Sequence, residues 1–199
     1  TSHNPALEML LTRAAALNSS MESITNKLSS SRSRHFKIRA GDLGRQLSLA
    51  STLIAAGIDT PVLKVKIDGF DTHEDQPWRH QRLLENLGRA VSGFAQQMRK
   101  IGQWENTLVL TYSEFGRRAV ENSTSGTDHG TAAPHFLAGG SINGGIYGKH
   151  PSLSRLVDGD MQFTMDYRSV YDWILSQWFE IENNRFKEYR AAELNSLTS

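Results

Sequence analysis

The chain of 199 residues has no cysteine. That excludes disulfides, thiolate zinc sites and cysteine nucleophiles, and it leaves carboxylates and imidazoles as the side chains able to ligate a metal. A charge excess is lacking too: 22 basic residues against 21 acidic ones leave +1, so nothing calls for nucleic acid, an anionic membrane or a strongly charged partner. No apolar run approaches the roughly 20 residues that span a bilayer. The polar start Thr1-Ser2-His3-Asn4 is no signal peptide. There is no G-x-G-x-x-G and no phosphate-loop Lys-Ser/Thr, so the Gly139-Gly140 and Gly144-Gly145 pairs with Gly148 read as tight turns. No internal repeat occurs. The 38% hydrophobic content is that of a globular protein long enough for a buried core.

Apolar spacing divides the first 35 residues into helices over Ala6 to Leu17 and Met21 to Leu28. The polar break Asn18-Ser19-Ser20 caps the second, which predicts a helical hairpin. The Ser/Arg-rich run from Leu28 to His35 reads as a mobile connection. Asp42 opens a helix that Gly57 closes in the left-handed conformation. Val62 to Ile67 reads as a buried strand. From His80, apolar residues at Leu83, Leu84, Leu87, Val91, Phe94, Ala95, Met98 and Ile101 define a long one-faced helix. A further strand follows over Thr107 to Tyr112. Strand, helix and strand form a βαβ unit with parallel strands, so the loops after both strands share one sheet edge. A third strand is expected at Pro134 to Ala138, and Asp166 caps a helix through Phe179. The expected division is a hairpin and connection over 1–35, an α/β domain over 36–182 and a polar tail over 183–199.

Three short runs carry the chemistry: Gly69-Phe70-Asp71-Thr72-His73, Ser113-Glu114-Phe115-Gly116-Arg117 and Gly126-Thr127-Asp128-His129-Gly130. Each sets a carboxylate or imidazole at a strand end, where α/β enzymes build sites. Asp71, His73, Glu114 and His129 offer two oxygen and two nitrogen donors, a mix suited to zinc, manganese or iron rather than calcium. On an extended backbone residues 71 and 73 point the same way and Thr72 points away. The same residues also suit a hydrogen-bonded polar cluster without an ion. Arg117 either clamps an anionic substrate through its planar fork or pairs with Glu114. Asp75 is a reserve ligand, and Asp128 orients His129 or caps a turn. Ser113, His129 and Asp71 have the residue types of a catalytic triad, but Tyr112-Ser113-Glu114 is no nucleophile elbow. His3 and His35 fall in expected flexible segments, His80 opens a helix, His135 suits a hydrogen-bonded strand position and His150 a loop.

Those three motifs, followed by Gly144-Gly145-Ile146-Tyr147-Gly148 and Asp166-Tyr167-Arg168-Ser169-Val170-Tyr171, resemble in order and spacing the bacterial domain-of-unknown-function family 1501. The resemblance runs from about Asp42 to Phe179. That family is similar to the alkaline phosphatase and sulfatase superfamily, which implies a doubly wound α/β sheet with helices on both faces and a two-metal site at the strand ends. It implies that Asp71, His73 and His129 fall in one metal site, that Glu114 replaces the aspartate of the second, and that Arg117 lies nearby. The implied function is metal-dependent hydrolysis of phosphate or sulfate esters, with a small anionic ester as substrate and zinc, manganese or iron as cofactor. It also implies twin-arginine export to the periplasm or beyond. Two departures stand out. The superfamily's nucleophile and a further aspartate ligand belong to an N-terminal half upstream of the segment resembled here, and Phe115 follows Glu114 where a ligand is usual. An inactive, metal-stabilised binding relative is the alternative expectation.

Overall fold

In the computed structural model, residues 4–30 and 36–198 are described. Helix α1 (Pro5–Ser30) runs unbroken. Asn4 caps it, its Oδ1 accepting the Ala6 and Leu7 amides at 3.1 and 3.2 Å. The expected hairpin break at Asn18-Ser19-Ser20 does not occur. Ser20 turns its hydroxyl back onto the Ala16 carbonyl at 2.9 Å, and Thr25 does the same to Met21 at 2.8 Å. Polar residues that stop a helix elsewhere are accommodated in this way along a solvent-facing helix. Its Leu7, Leu10, Leu17 and Met21 are exposed. The connection expected through residues 31–35, with His35, and the position of His3 lie outside the described residues.

Helices α2 (Gly41–Ala55) and α3 (Gln76–Lys100) follow. The chain divides into two units, Thr1–Ile67 with Glu85–Ile101, and Asp68–Leu84 with Gly102–Ser199. In the first, the apolar face of α2 buries Leu43, Leu47 and Ala50; α3 buries Phe94, Ala95 and Met98 of the positions its three-to-four spacing marks out, together with Ala90, while Leu87 and Val91 are half-buried. Asp42 sits in the first turn of α2 and holds Arg45 and Gln46 at 2.7 and 2.8 Å, while Ala40 occupies the cap position. Gly57, at φ +66°, ends the helix as expected.

Among the described residues, Val62 to Ile67 joins no sheet, and it is not the buried strand expected: Val62, Leu63, Lys64 and Lys66 are exposed. At Lys66, the Gln46 side chain accepts the backbone N–H through its amide oxygen at 2.9 Å and donates to the backbone carbonyl through its amide nitrogen at 2.8 Å, satisfying both backbone groups of that residue.

The second unit has two small antiparallel sheets. Strand β1 (Leu108–Leu110) pairs with β4 (Leu137–Gly139) in the register Leu108↔Gly139 and Leu110↔Leu137. Strand β2 (Gly116–Glu121) pairs with β3 (Thr127–Gly130). The molecule is therefore α/β, but the parallel βαβ pairing expected from sequence is replaced, among the described residues, by antiparallel ladders of three to six residues. Strand-forming runs carry no record of their partner, and here β1 finds the run after His135 rather than the one before α3.

Helix α4 (Tyr167–Trp173) begins at Asp166, whose carboxylate accepts the Arg168 amide at 2.9 Å, and it continues as a wider π turn over Ile174–Trp178. The segment expected to be a polar tail forms two 3₁₀ turns, Lys187–Tyr189 and Ala192–Leu194. It delivers Leu194 and Leu197 into a core around Trp173, which Leu108, Leu137, Val170 and Ile174 complete. Asp172, 1% exposed, takes Arg190 Nε at 2.8 Å and Asn184 Nδ2 at 2.8 Å, which ties this segment to α4.

Candidate metal centre

The segment Gly69 to His73 belongs to no strand and turns tightly at Asp71, where the Thr72 amide donates to the Phe70 carbonyl at 3.0 Å, yet its burial alternates as its spacing predicts. Thr72 is buried and its hydroxyl pairs with His80 Nε2 at 2.9 Å, on the first turns of α3. Asp71 and His73 therefore share the open side. Burial holds the His80 imidazole below its ordinary pKa, partly offset by its hydrogen bond with the Phe70 backbone. The loop between β2 and β3 then grips the backbone of His73: its carbonyl accepts Asn122 Nδ2 at 3.0 Å and Thr124 Oγ1 at 2.6 Å. Gly126 lies so close that a Cβ there would stand 2.6 Å from the Glu74 amide nitrogen, so no larger residue fits.

Strand β3 brings His129 to the same place. Arg117 pairs with His129 and Glu121 with Thr127, so three residues of β2 face the single Asp128. That bulge frees Asp128 from a regular ladder partner and lets its side chain swing toward the same site as its neighbour's.

Three donor atoms converge. Asp71 Oδ1 lies 2.8 Å from His129 Nε2 and 3.1 Å from His73 Nε2, and the two imidazole nitrogens are 3.2 Å apart. Bonds of about 2.0–2.1 Å to one ion place neighbouring ligand atoms roughly 2.8–3.4 Å apart in octahedral or tetrahedral geometry. The observed triangle is of that size, and two imidazoles with one carboxylate are a ligand set that zinc, manganese and iron accept. The Asp71 carboxyl is held below the usual carboxylate range by its hydrogen bond with His129, against the opposing effect of desolvation and with smaller help from the charges of His129, His73 and Arg117. It is therefore an anion, ready to ligate, across ordinary pH. The side chains of Asp71, His73 and His129 are 60%, 49% and 47% exposed, so the cluster opens to solvent.

Around the triangle, Arg117 acts as a brace. Its side chain is 15% exposed. Nη1 donates to the Thr127 carbonyl at 2.6 Å, and Nη2 donates to the Phe70 carbonyl and to Asp71 Oδ1, the latter at 3.3 Å. It links β3 to the Asp71 segment and does not pair with Glu114. Phe115 lies flat on His129, with ring centroids 3.7 Å apart and planes within 8°. Asp128 Oδ1 approaches His73 Nδ1 at 3.3 Å. Glu114 is exposed in the segment between β1 and β2, outside the group of three. Asp75 is likewise outside it and takes up a left-handed turn at φ +47°. His135 is bound to the Thr111 carbonyl at 3.0 Å and His150 to that of Pro151 at 2.7 Å.

The chain belongs to the family of proteins of unknown function DUF1501, whose family model matches residues 6–179. No curated protein and no solved structure matches it.

Proposed function

We propose that this family member uses Asp71, His73 and His129 to hold a catalytic divalent ion in a hydrolase of phosphate or sulfate esters. The observation that carries the reading is the triangle of 2.8, 3.1 and 3.2 Å formed by one carboxylate oxygen and two imidazole nitrogens from segments far apart in the chain. A bound ion supplies Lewis acidity toward an ester oxygen and toward water. The likeness of the motifs to the alkaline phosphatase and sulfatase superfamily supports the ester as substrate class, with Glu114 as a ligand of a second ion in that pattern. Within this chain, Asp71 supplies the negative charge that binds the cation, and Arg117 fixes Asp71 relative to β3. Zinc, manganese and iron fit the donors equally.

The second reading is a metal-stabilised binding protein without turnover. It draws on Arg117, whose two terminal nitrogens are committed to the carbonyls of Thr127 and Phe70 and to Asp71, so the fork is not free to grip an anion.

Elemental analysis of the dialysed chain and of a His73→Ala, His129→Ala double variant tests the reading, followed by assays with nitrophenyl phosphate and nitrophenyl sulfate before and after reloading. About one ion per chain is expected, absent from the variant, together with ester hydrolysis that follows the ion. A stoichiometric ion without hydrolysis of either ester favours the binding protein. No ion after reloading overturns both readings.

A further inference from the structure

We propose that Asp128 is a positioning residue that presents His73 to the ion, an inference that rests on the metal-centre reading above. Asp128 Oδ1 lies 3.3 Å from His73 Nδ1. The Nε2 atom of the same ring is the one that stands 3.1 Å from Asp71 Oδ1 and 3.2 Å from His129 Nε2. A carboxylate can only accept a hydrogen bond, so when Nε2 ligates the ion through its lone pair, Nδ1 carries the proton and donates it to Asp128.

His73 is also held from its other end. Asn122 Nδ2 and Thr124 Oγ1 both donate to its carbonyl, and Gly126 closes on its backbone. Its main chain is fixed by the β2–β3 loop, and its ring is fixed by the first residue past that loop's closing Thr127. Asp128 lies where the register shifts, with three β2 residues opposite it, so no regular ladder partner occupies its place on the strand. The pairing adds little to the fold, since both side chains are about half exposed, at 49% and 58%, and exposed pairs of this kind stabilise weakly. Its consequence is instead that one nitrogen of His73 is selected and aimed. A carboxylate behind a ligating imidazole fixes its tautomer and raises its basicity.

The test titrates zinc into the wild-type chain, Asp128→Ala and Asp128→Asn by calorimetry, and records the cobalt absorption spectrum of each at saturation. Melting temperatures are measured without metal. Asp128→Ala is expected to weaken zinc binding by about 10–100-fold while the saturated cobalt spectrum and the metal-free melting temperature stay those of the wild type. Asp128→Asn, which retains an accepting oxygen, loses less. Equal zinc affinity in wild type and Asp128→Ala overturns the inference and leaves the metal centre standing. An altered cobalt spectrum overturns it by showing Asp128 to be a ligand itself, and a collapsed metal-free melting temperature overturns it by showing a structural role. A wild-type chain that takes up no zinc overturns the centre, and the inference with it.

Discussion

His73 and His129, 56 residues apart in the chain, bring their Nε2 atoms to 3.2 Å with Asp71 Oδ1 within reach of both. An imidazole N–H can bridge two of these three atoms at a time, whereas a cation can take all three as ligands at once. A ligand that binds only the folded state stabilises it by about 2.7 kcal/mol at a hundredfold excess over its dissociation constant. Zinc or manganese should therefore raise the melting temperature by roughly 5–10 °C. His129→Ala should abolish that rise in a differential scanning experiment while leaving the chain folded.

Arg117 joins two parts of the site through three hydrogen bonds, and its side chain is only 15% exposed. Hydrogen bonds from a charged donor contribute about 1.5–3 kcal/mol, and carbonyls left without a partner add their own cost. Arg117→Ala should lower unfolding stability by about that amount in a denaturant titration. Arg117→Lys should recover little, because a single ammonium cannot span both the Phe70 and Thr127 carbonyls as a planar fork does. Full recovery by lysine would show that charge alone matters at this position.

Much of this geometry was legible in the sequence, and the limits have physical causes. The exposure of Asp71 and His73 about a buried Thr72 matches the spacing in the sequence, although a tight turn at Asp71 carries it rather than a strand. The apolar face of α3 and the carboxylate cap at Asp166 are local properties of the chain. Pairing is not local. Leu108 to Leu110 meets Leu137 to Gly139 across 27 or more residues, and nothing in either run names the other. The run after Pro61 has strand composition, yet among the described residues it pairs with no strand, and the backbone of its Lys66 is bound by Gln46, a residue of a preceding helix. The polar triplet in α1 signals a stop only where its hydroxyls have no carbonyl to return to. The terminal segment looked polar because its buried members, Leu194 and Leu197, are few among charged neighbours. Asp128 was the subtler case: strict alternation turns it away from the side of the strand that His129 faces, and only the bulge in β2 brings it to His73.

The pairing of Asp172 with Arg190 predicts a pH dependence of a definite sign. The hydrogen bond from Arg190, reinforced by Asn184, holds the Asp172 carboxyl below its ordinary range against the desolvation that burial imposes. The folded state then binds fewer protons at this group than the unfolded one, so stability rises with pH through this window. The contribution is complete above the unfolded carboxyl value of about 3.9 and is lost as pH falls through the lower folded value. Denaturation midpoints measured from pH 5 down to pH 2 should fall more steeply for the wild type than for Asp172→Asn. Parallel curves would show that the Asp172–Arg190 pair does not govern acid stability.

Phe115, directly after Glu114, has no atom that can ligate a metal. Its ring lies parallel to His129 at 3.7 Å, while the Arg117 guanidinium carbon lies 5.1 Å from its centroid. It therefore acts on the site by holding the plane of an imidazole that donates from its edge. Stacked aromatic pairs contribute about 0.5–1.5 kcal/mol beyond the area they bury. If that energy fixes the His129 ring in its ligating orientation, Phe115→Ala should weaken metal binding by up to about tenfold, without changing the number of ions bound. Phe115→Tyr keeps the ring face and should bind metal as the wild type does. Calorimetric titration of the three chains decides it, and an unchanged affinity in Phe115→Ala would reduce the stack to a packing contact.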